Sequence, residues 1–424
     1  MKLQISRSPK VSGTVRIPGS KSHTIRALFF ASLAKGISNI NKPLISDDAL
    51  SAVRVCRALG ADIKGIDDSY KIKGFGSSPI TPDDVINVGN SGTSLRFATM
   101  VAGLVQGTTI LTGDDQIRKR PMGSLIEAIN NLGGYAGSTR DNYCAPIIVK
   151  GVLKGGFTTL DSVTSQYLSS ILITAPLLEK DTTVELTRLN EVPYVLMTTW
   201  WLDKFGIKYE NHGLKTFHIK GNQSYPAFND SIKGDFSSAT FFAVLAAISG
   251  NEFTLENLDM TDPQGDKEVL SILENMGSKV SYGTDKITIK GNGLKGMEID
   301  MNSVPDALPA MAVAACYADG ETRLVNVPQA RLKETDRIHV MCIELKKMGA
   351  DIEELPDGLI IKNSKLTGCD VCGHHDHRIV MALAVAGLLS DGITTIDTAE
   401  SMNVTFPEFK DFVHNCGGNI SLIE

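Results

Sequence analysis

One layout recurs six times along the chain, and it constrains the fold more than any other feature. A small, polar opening leads into an Ala/Leu-rich helical run, a Gly or turn ends that run, and a short strand follows. The openings are Pro18-Gly19-Ser20-Lys21-Ser22, Gly89-Asn90-Ser91-Gly92-Thr93, Val163-Thr164-Ser165-Gln166, Gly234-Asp235-Phe236-Ser237-Ser238, Val304-Pro305-Asp306-Ala307 and His375-Asp376-His377-Arg378. Turns at Lys35-Gly36, Gln106-Gly107, Ser249-Gly250, Asp319-Gly320 and Asp391-Gly392 predict Gly caps at the ends of five of these helices. A second, amphipathic helix then runs into turns such as Leu59-Gly60-Ala61 or Met348-Gly349-Ala350 and on to another strand. The period is roughly 70 residues, longer than most solenoid repeats but the same kind of signal. Helices alternating with strands at this spacing predict an α/β fold. At 424 residues the chain exceeds one ordinary domain. The repeats divide it into an N-terminal domain, 18–233, and a C-terminal domain, 234–424. The opening strand, 1–17, precedes the first repeat and is free to pair with either half; we assign it to the second.

Charge narrows the function. A formal charge of -6 argues against a general nucleic-acid binder. Cations nonetheless gather locally, at Lys21 and Arg26, Arg118 to Arg120, Arg331 to Arg337, and His377-Arg378. Basic clusters in an acidic protein suit small anionic ligands better than polyanions. Seven Cys without a regular framework fit a reducing compartment. Met1-Lys2-Leu3-Gln4-Ile5 lacks the apolar run of a signal peptide, and no stretch is long and apolar enough to span a bilayer. The expectation is a cytoplasmic protein with no membrane partner.

The openings are rich in Ser, Thr, Gly and Asp, which suits helix N-caps. If the repeats are equivalent, their helix N-termini point to a common region, where unsatisfied N–H groups and local Lys and Arg attract anions. The densest cluster is Lys333-Glu334-Thr335-Asp336-Arg337, between a strand-like run, 322–327, and a helical run, 338–348. On a helix, Lys333 and Arg337 are i,i+4 neighbours on one face. Gly19-Ser20-Lys21-Ser22 is not a Walker A loop, because Ser20 separates Gly from Lys. Gly92 has no side chain, so backbone there can approach a ligand closely. Arg120 precedes Pro121, a residue suited to the first helical position, and a cation at a helix N-terminus is unfavourable unless an anion joins it. Cys369, Cys372 and the crowded His374, His375 and His377 do not have helical metal-ligand spacing, and we assign no metal. Asp306 reads most simply as an N-cap, and as a general base if it faces the anions.

Taken in order, Lys21-Ser22 with Arg26, Asn90-Ser91-Gly92-Thr93 with Arg96, Arg120-Pro121-Met122, Ser165-Gln166, Pro305-Asp306-Ala307, Lys333-Glu334-Thr335-Asp336-Arg337 and Asp376-His377-Arg378 resemble the signature of the EPSP synthases over essentially the whole chain. The related UDP-N-acetylglucosamine enolpyruvyl transferases typically have Lys-Asn where this chain has Lys21-Ser22. The resemblance implies two globular domains, each of three βαβαββ repeats about a pseudo-threefold axis, an inside-out α/β barrel that closes on substrate. It implies enolpyruvyl transfer from phosphoenolpyruvate to shikimate 3-phosphate, with no cofactor, by a monomer. Lys21, Ser22, Arg26, Thr164, Ser165, Gln166, Asp306, Gln329 and Lys333 would bind shikimate 3-phosphate. Lys21, Gly92, Arg120, Gln166, Arg337 and Arg378 would bind phosphoenolpyruvate. Asp306 would be the base, with Glu334 and Lys21 handling protons on the other side. Two alternatives are transfer to UDP-N-acetylglucosamine and a non-catalytic anion-binding paralogue.

Three positions depart from the family pattern. Gln329 replaces an Asn. Val404 stands where a Lys often precedes Thr/Ser-Phe-Pro, so one phosphate-binding cation of the pattern is missing. Glu191 stands where a Ser helps to bind the shikimate phosphate. An acid would repel phosphate there, so either the correspondence is offset or Glu191 points away.

Overall fold

The computed structural model describes residues 1–66 and 68–423. Twelve α-helices are present among them: α1 Lys21–Leu33, α2 Asp47–Ala58, α3 Gly92–Ala102, α4 Gly123–Asn131, α5 Ser165–Thr174, α6 Val192–Lys204, α7 Phe236–Ser249, α8 Glu268–Met276, α9 Leu308–Cys316, α10 Arg337–Lys347, α11 His377–Leu389 and α12 Phe409–Asn415. The odd-numbered helices open the repeats. They are apolar on nearly all sides, and nearly all their residues are buried. A helix that is apolar all round belongs in a core, whereas a one-sided helix lies on the surface. The even-numbered helices are mostly of the second kind, as α8 shows: Val269, Leu270, Ile272, Leu273 and Met276 are buried and the intervening residues face out.

The strands form six four-stranded sheets among the described residues, plus two short pairs. Each large sheet repeats one order: a parallel pair, then two antiparallel strands. In one, Glu298–Asp300 lies parallel to Glu321–Val325, followed by Gly358–Lys362 and Asp351–Leu355. The strands alternate buried and exposed positions, so each sheet has one wet face. Helices are therefore inside and sheets outside.

The chain falls into two compact units, Lys21–Ile232 and Met1–Ser20 with Lys233–Glu424. Each is completed by strands from its ends. Asn229–Ser231 supplies the parallel strand for Ile37–Asn41 in the first repeat. The opening segment, read from sequence as one strand, is two. Lys2–Ser6 sits between Ile393–Ile396 and Asn419–Ile423, and Gly13–Arg16 pairs with Glu252–Glu256. In the unit containing both termini, α7, α9 and α11 each pack against the other two.

The Gly caps differ from expectation. Gly250, at φ 75°, caps α7 directly. Gly36 and Gly320 also have positive φ, but a two-residue strand, Ala34–Lys35 or Ala318–Asp319, separates each from its helix. Those two strands pair with Tyr225–Pro226 and Leu294–Lys295, so tertiary pairing ends the helix before the glycine does.

Candidate active site

Four of the repeat openings place N-cap side chains as the sequence predicts. Ser91 accepts from Ser94 N–H, Thr164 from Gln166 N–H, Asp235 from Ser238 N–H and Asp376 from Arg378 N–H. Asp306 does not cap. It lies in a single 3-10 turn, Pro305–Ala307, ahead of α9, and no side-chain cap bond forms there. Its carboxylate instead meets three cations. Oδ1 lies 3.0 Å from Arg337 Nη1 and 3.6 Å from Lys333 Nζ, and Oδ2 lies 2.8 Å from Arg378 Nη2.

Arg337 is the hub of this cluster. It is 1% exposed, and its guanidinium also takes both oxygens of Asp376, at 2.8 and 3.2 Å, and Glu334 Oε2 at 2.6 Å. A planar fork suits such paired carboxylate contacts, and a buried guanidinium requires them. Burial alone would lower its pKa, but Asp376, Glu334 and Asp306 outweigh that and push it above its ordinary value.

Lys333 and Arg337 do not share a helical face. Residues 333–335 form a bend, and α10 begins only at Arg337, with Asp336 as its N-cap accepting from His339 N–H at 3.0 Å. Arg331 also holds Asp336, at 2.7 Å. The cap fixes the helix start, and the bend swings Lys333 back to Asp306. Gln329 is buried in the preceding 3-10 turn and donates to the Asn302 carbonyl at 3.2 Å.

The other unit holds its own cations. Lys21 begins α1 and pairs with the buried Asp48 at 3.3 Å, and Ser22 follows it. Gly92 begins α3, and a Cβ there would lie 2.5 Å from Arg120 Nη1 and 2.6 Å from Arg96 Nη1. Two guanidinium groups thus press on one helix N-terminus, and any side chain there would push them aside. Arg120 follows a 3-10 turn, Ile117–Lys119, and α4 starts at Gly123, so Arg120 is not at the N-terminus of its own helix. It is directed at that of α3. Arg26 turns inward. It donates to Thr198 Oγ1 at 2.9 Å, the Tyr194 carbonyl at 2.8 Å and the Ser22 carbonyl at 3.1 Å, and burial lowers its pKa to about 10.

Thr164 and Ser165 stand at the N-terminus of α5, with Gln166 next to them and partly exposed. Glu191 neither misses this place nor points away from it. Its Oε2 accepts from Thr164 Oγ1 at 3.1 Å, Ser165 N–H at 3.1 Å and Ser165 Oγ at 2.8 Å. Val404 is half-buried at the end of a 3-10 turn, Ala399–Val404.

Sequence reasoning did not assign roles to Asp48, Arg96 or Asp376. Arg96 lies one helical turn from Gly92, and Asp376 opens the Asp-His-Arg motif, so both carried a signal. Asp48 carried none. Among the described residues no group of His, Cys, Asp and Glu is arranged to hold a metal ion, and no helix is long and apolar enough to cross a membrane.

Buried cations answered by carboxylates, at helix N-termini of a repeated α/β fold, define a protein for small, multiply charged anions. The chain matches the family model described as EPSP synthase (3-phosphoshikimate 1-carboxyvinyltransferase) over residues 5–413. It is 68% identical over 418 residues to the 3-phosphoshikimate 1-carboxyvinyltransferase of Acetivibrio thermocellus, with 99% of each chain covered. The enzyme of that name from Ruminiclostridium cellulolyticum is 63% identical over 423 residues, with both chains fully covered. The solved EPSP synthase of Acinetobacter baumannii superposes with a TM-score of 0.84 at 29% identity over the full length of both chains. The chain belongs to the EPSP synthase family, and its fold is the enolpyruvyl transferase fold.

Proposed function

We propose that this protein transfers the enolpyruvyl group of phosphoenolpyruvate to the 5-hydroxyl of shikimate 3-phosphate, releasing phosphate, as a step of the shikimate pathway to chorismate. The observation that carries the assignment of roles is the Asp306 cluster. It offers one carboxylate to a hydroxyl and three cations to an anion in the same few ångströms.

The chemistry needs a base, an acid and charge compensation. The acceptor oxygen bonds to C2 of phosphoenolpyruvate while C3 gains a proton. The C2–O bond to phosphate then breaks as C3 loses a proton, and phosphate leaves. Asp306, held in place by the cations around it, takes the hydroxyl proton. Glu334 and Lys21 serve the proton on C3. Arg337 and Arg378 hold the phosphoenolpyruvate carboxylate, while Arg120, beside Gly92, takes its phosphate. Thr164 and Ser165 receive the shikimate phosphate, Gln166 bridges the substrates, and Lys333 and Gln329 meet the shikimate ring. Ser22 and Lys21 complete the acceptor set, and Arg26 shapes it through α6. Preorganised cations stabilise the charge of the tetrahedral intermediate without rearranging at the moment of reaction.

In this reading the two domains are 18–233 and 1–17 with 234–424. In the same reading the protein works as a monomer. It works in the cytoplasm, where its seven free cysteines stay reduced. Phosphate release from phosphoenolpyruvate tests the assignment. It should require shikimate 3-phosphate and should not occur with UDP-N-acetylglucosamine. No release with either would leave an anion-binding protein without this activity.

A further inference from the structure

Arg378, the second residue of α11, and Asp376, its N-cap, follow a short loop, residues 372–376, that carries two hydrogen bonds of its own: Asp376 N–H to the Gly373 carbonyl at 3.0 Å and His374 N–H to Cys372 Sγ at 3.4 Å. His374 and His375 are consecutive residues at φ 52° and 54°. The left-handed region is unfavourable for a side-chain-bearing residue, so something beyond those two bonds must help to impose it.

The loop's N–H groups show what does. Cys372 N–H donates to Glu344 Oε2 at 3.0 Å and Gly373 N–H to Asp397 Oδ1 at 2.8 Å. His375 N–H donates to Thr398 Oγ1 at 3.2 Å. His374 Nε2 lies 2.8 Å from Glu344 Oε1. Glu344 is fully buried, and Lys347 Nζ balances it at 2.7 and 2.9 Å. Burial opposes its charge, but Lys347, His374 and the Cys372 N–H outweigh that and leave its pKa below the ordinary value.

Helix geometry gives this a consequence. Glu344 lies seven residues after Arg337 on α10, almost two full turns, so both side chains leave the same face about 10 Å apart. Arg337 grips the end of the loop at Asp376, and Glu344 grips its start at Cys372 and His374. Two points fix the direction of a segment as well as its position, where one point fixes only position. We propose that Glu344 is a positioning residue of the reaction: through Cys372 and His374 it sets where the loop places the start of α11, and with it Arg378, which meets phosphoenolpyruvate. The proposal rests on the reading of Arg378 as a ligand of that substrate.

Steady-state kinetics of Glu344→Ala, Glu344→Gln, His374→Asn and Arg378→Gln test it. Asn tolerates the left-handed backbone while removing the imidazole. Displacing a ligand by about 1 Å from a distance costs up to about a hundredfold, so Glu344→Ala should raise the KM for phosphoenolpyruvate about tenfold or more. The KM for shikimate 3-phosphate, whose ligands lie on other segments, should stay within about twofold. Glu344→Gln keeps an acceptor for Cys372 N–H and should recover most of the loss. A purely structural role would lower stability without this split between substrates. If Glu344→Ala does not fold, His374→Asn decides by the same split. A phosphoenolpyruvate KM unchanged in these variants, while Arg378→Gln raises it, overturns the proposal alone. An unchanged value in Arg378→Gln overturns the underlying reading and the proposal together.

Discussion

Asp306 sits where three cations converge, and that placement makes two demands separable. In the proposed mechanism, binding the substrate anions is the work of Lys333, Arg337 and Arg378, while accepting a proton falls to the carboxylate. Asp306→Ala should therefore bind both substrates by equilibrium methods yet turn over more slowly by about 10²–10⁴-fold, the usual worth of a positioned base. Near-normal turnover would remove Asp306 from that role. Glu191 makes the opposite kind of demand. Its carboxylate already holds the hydroxyl and N–H donors of Thr164 and Ser165. In the proposed assignment, a substrate phosphate has to take those donors from it, against like charge. Glu191→Gln removes the charge and keeps the shape, so the KM for shikimate 3-phosphate should fall several-fold, with that for phosphoenolpyruvate unchanged. A rise in the first value would mean that Glu191 helps the phosphate rather than competing with it. Neither arrangement was legible in the sequence. Arg26 meets Thr198 across 172 residues, and Thr164 meets Glu191 across 27, and no local pattern announces such pairings.

The elements were far more legible, because their signals are local. Ser91, Thr164, Asp235 and Asp376 cap helices where N-cap chemistry placed them. The helical run read at 338–348 matches α10 to within one residue at each end, but Lys333 and Arg337 do not share its face, because Asp336, held by Arg331, caps the helix between them. That helix also carries a titration that can be measured. The native pKa of Glu344 lies below its ordinary 4.5, so its ionised form contributes stability. The contribution is complete above pH 4.5 and is lost as pH falls through the lower native value. In urea unfolding, wild type should exceed Glu344→Gln by a constant margin above that pH and by a shrinking margin below it. A margin that does not depend on pH would mean that the charge of Glu344 adds no stability.

At the scale of the whole molecule, six repeats form two units whose interiors are helices and whose outer layers are sheets. The period was readable because every repeat had to solve one problem: bury an apolar helix and cover it with a half-wet sheet. Which strands close each unit was not readable. Lys2–Ser6 and Asn229–Ser231 complete sheets built mostly from distant sequence. The same scale carries the chemical claim, that an enolpyruvyl group moves and a phosphoryl group does not. It is tested most directly with phosphoenolpyruvate carrying ¹⁸O in the oxygen that bridges C2 and phosphorus, followed by ³¹P NMR during turnover with shikimate 3-phosphate. The released inorganic phosphate should carry the label, because the C2–O bond breaks. Unlabelled phosphate, or a second phosphate on the acceptor, would mean that the P–O bond breaks instead and would contradict the mechanism at its root.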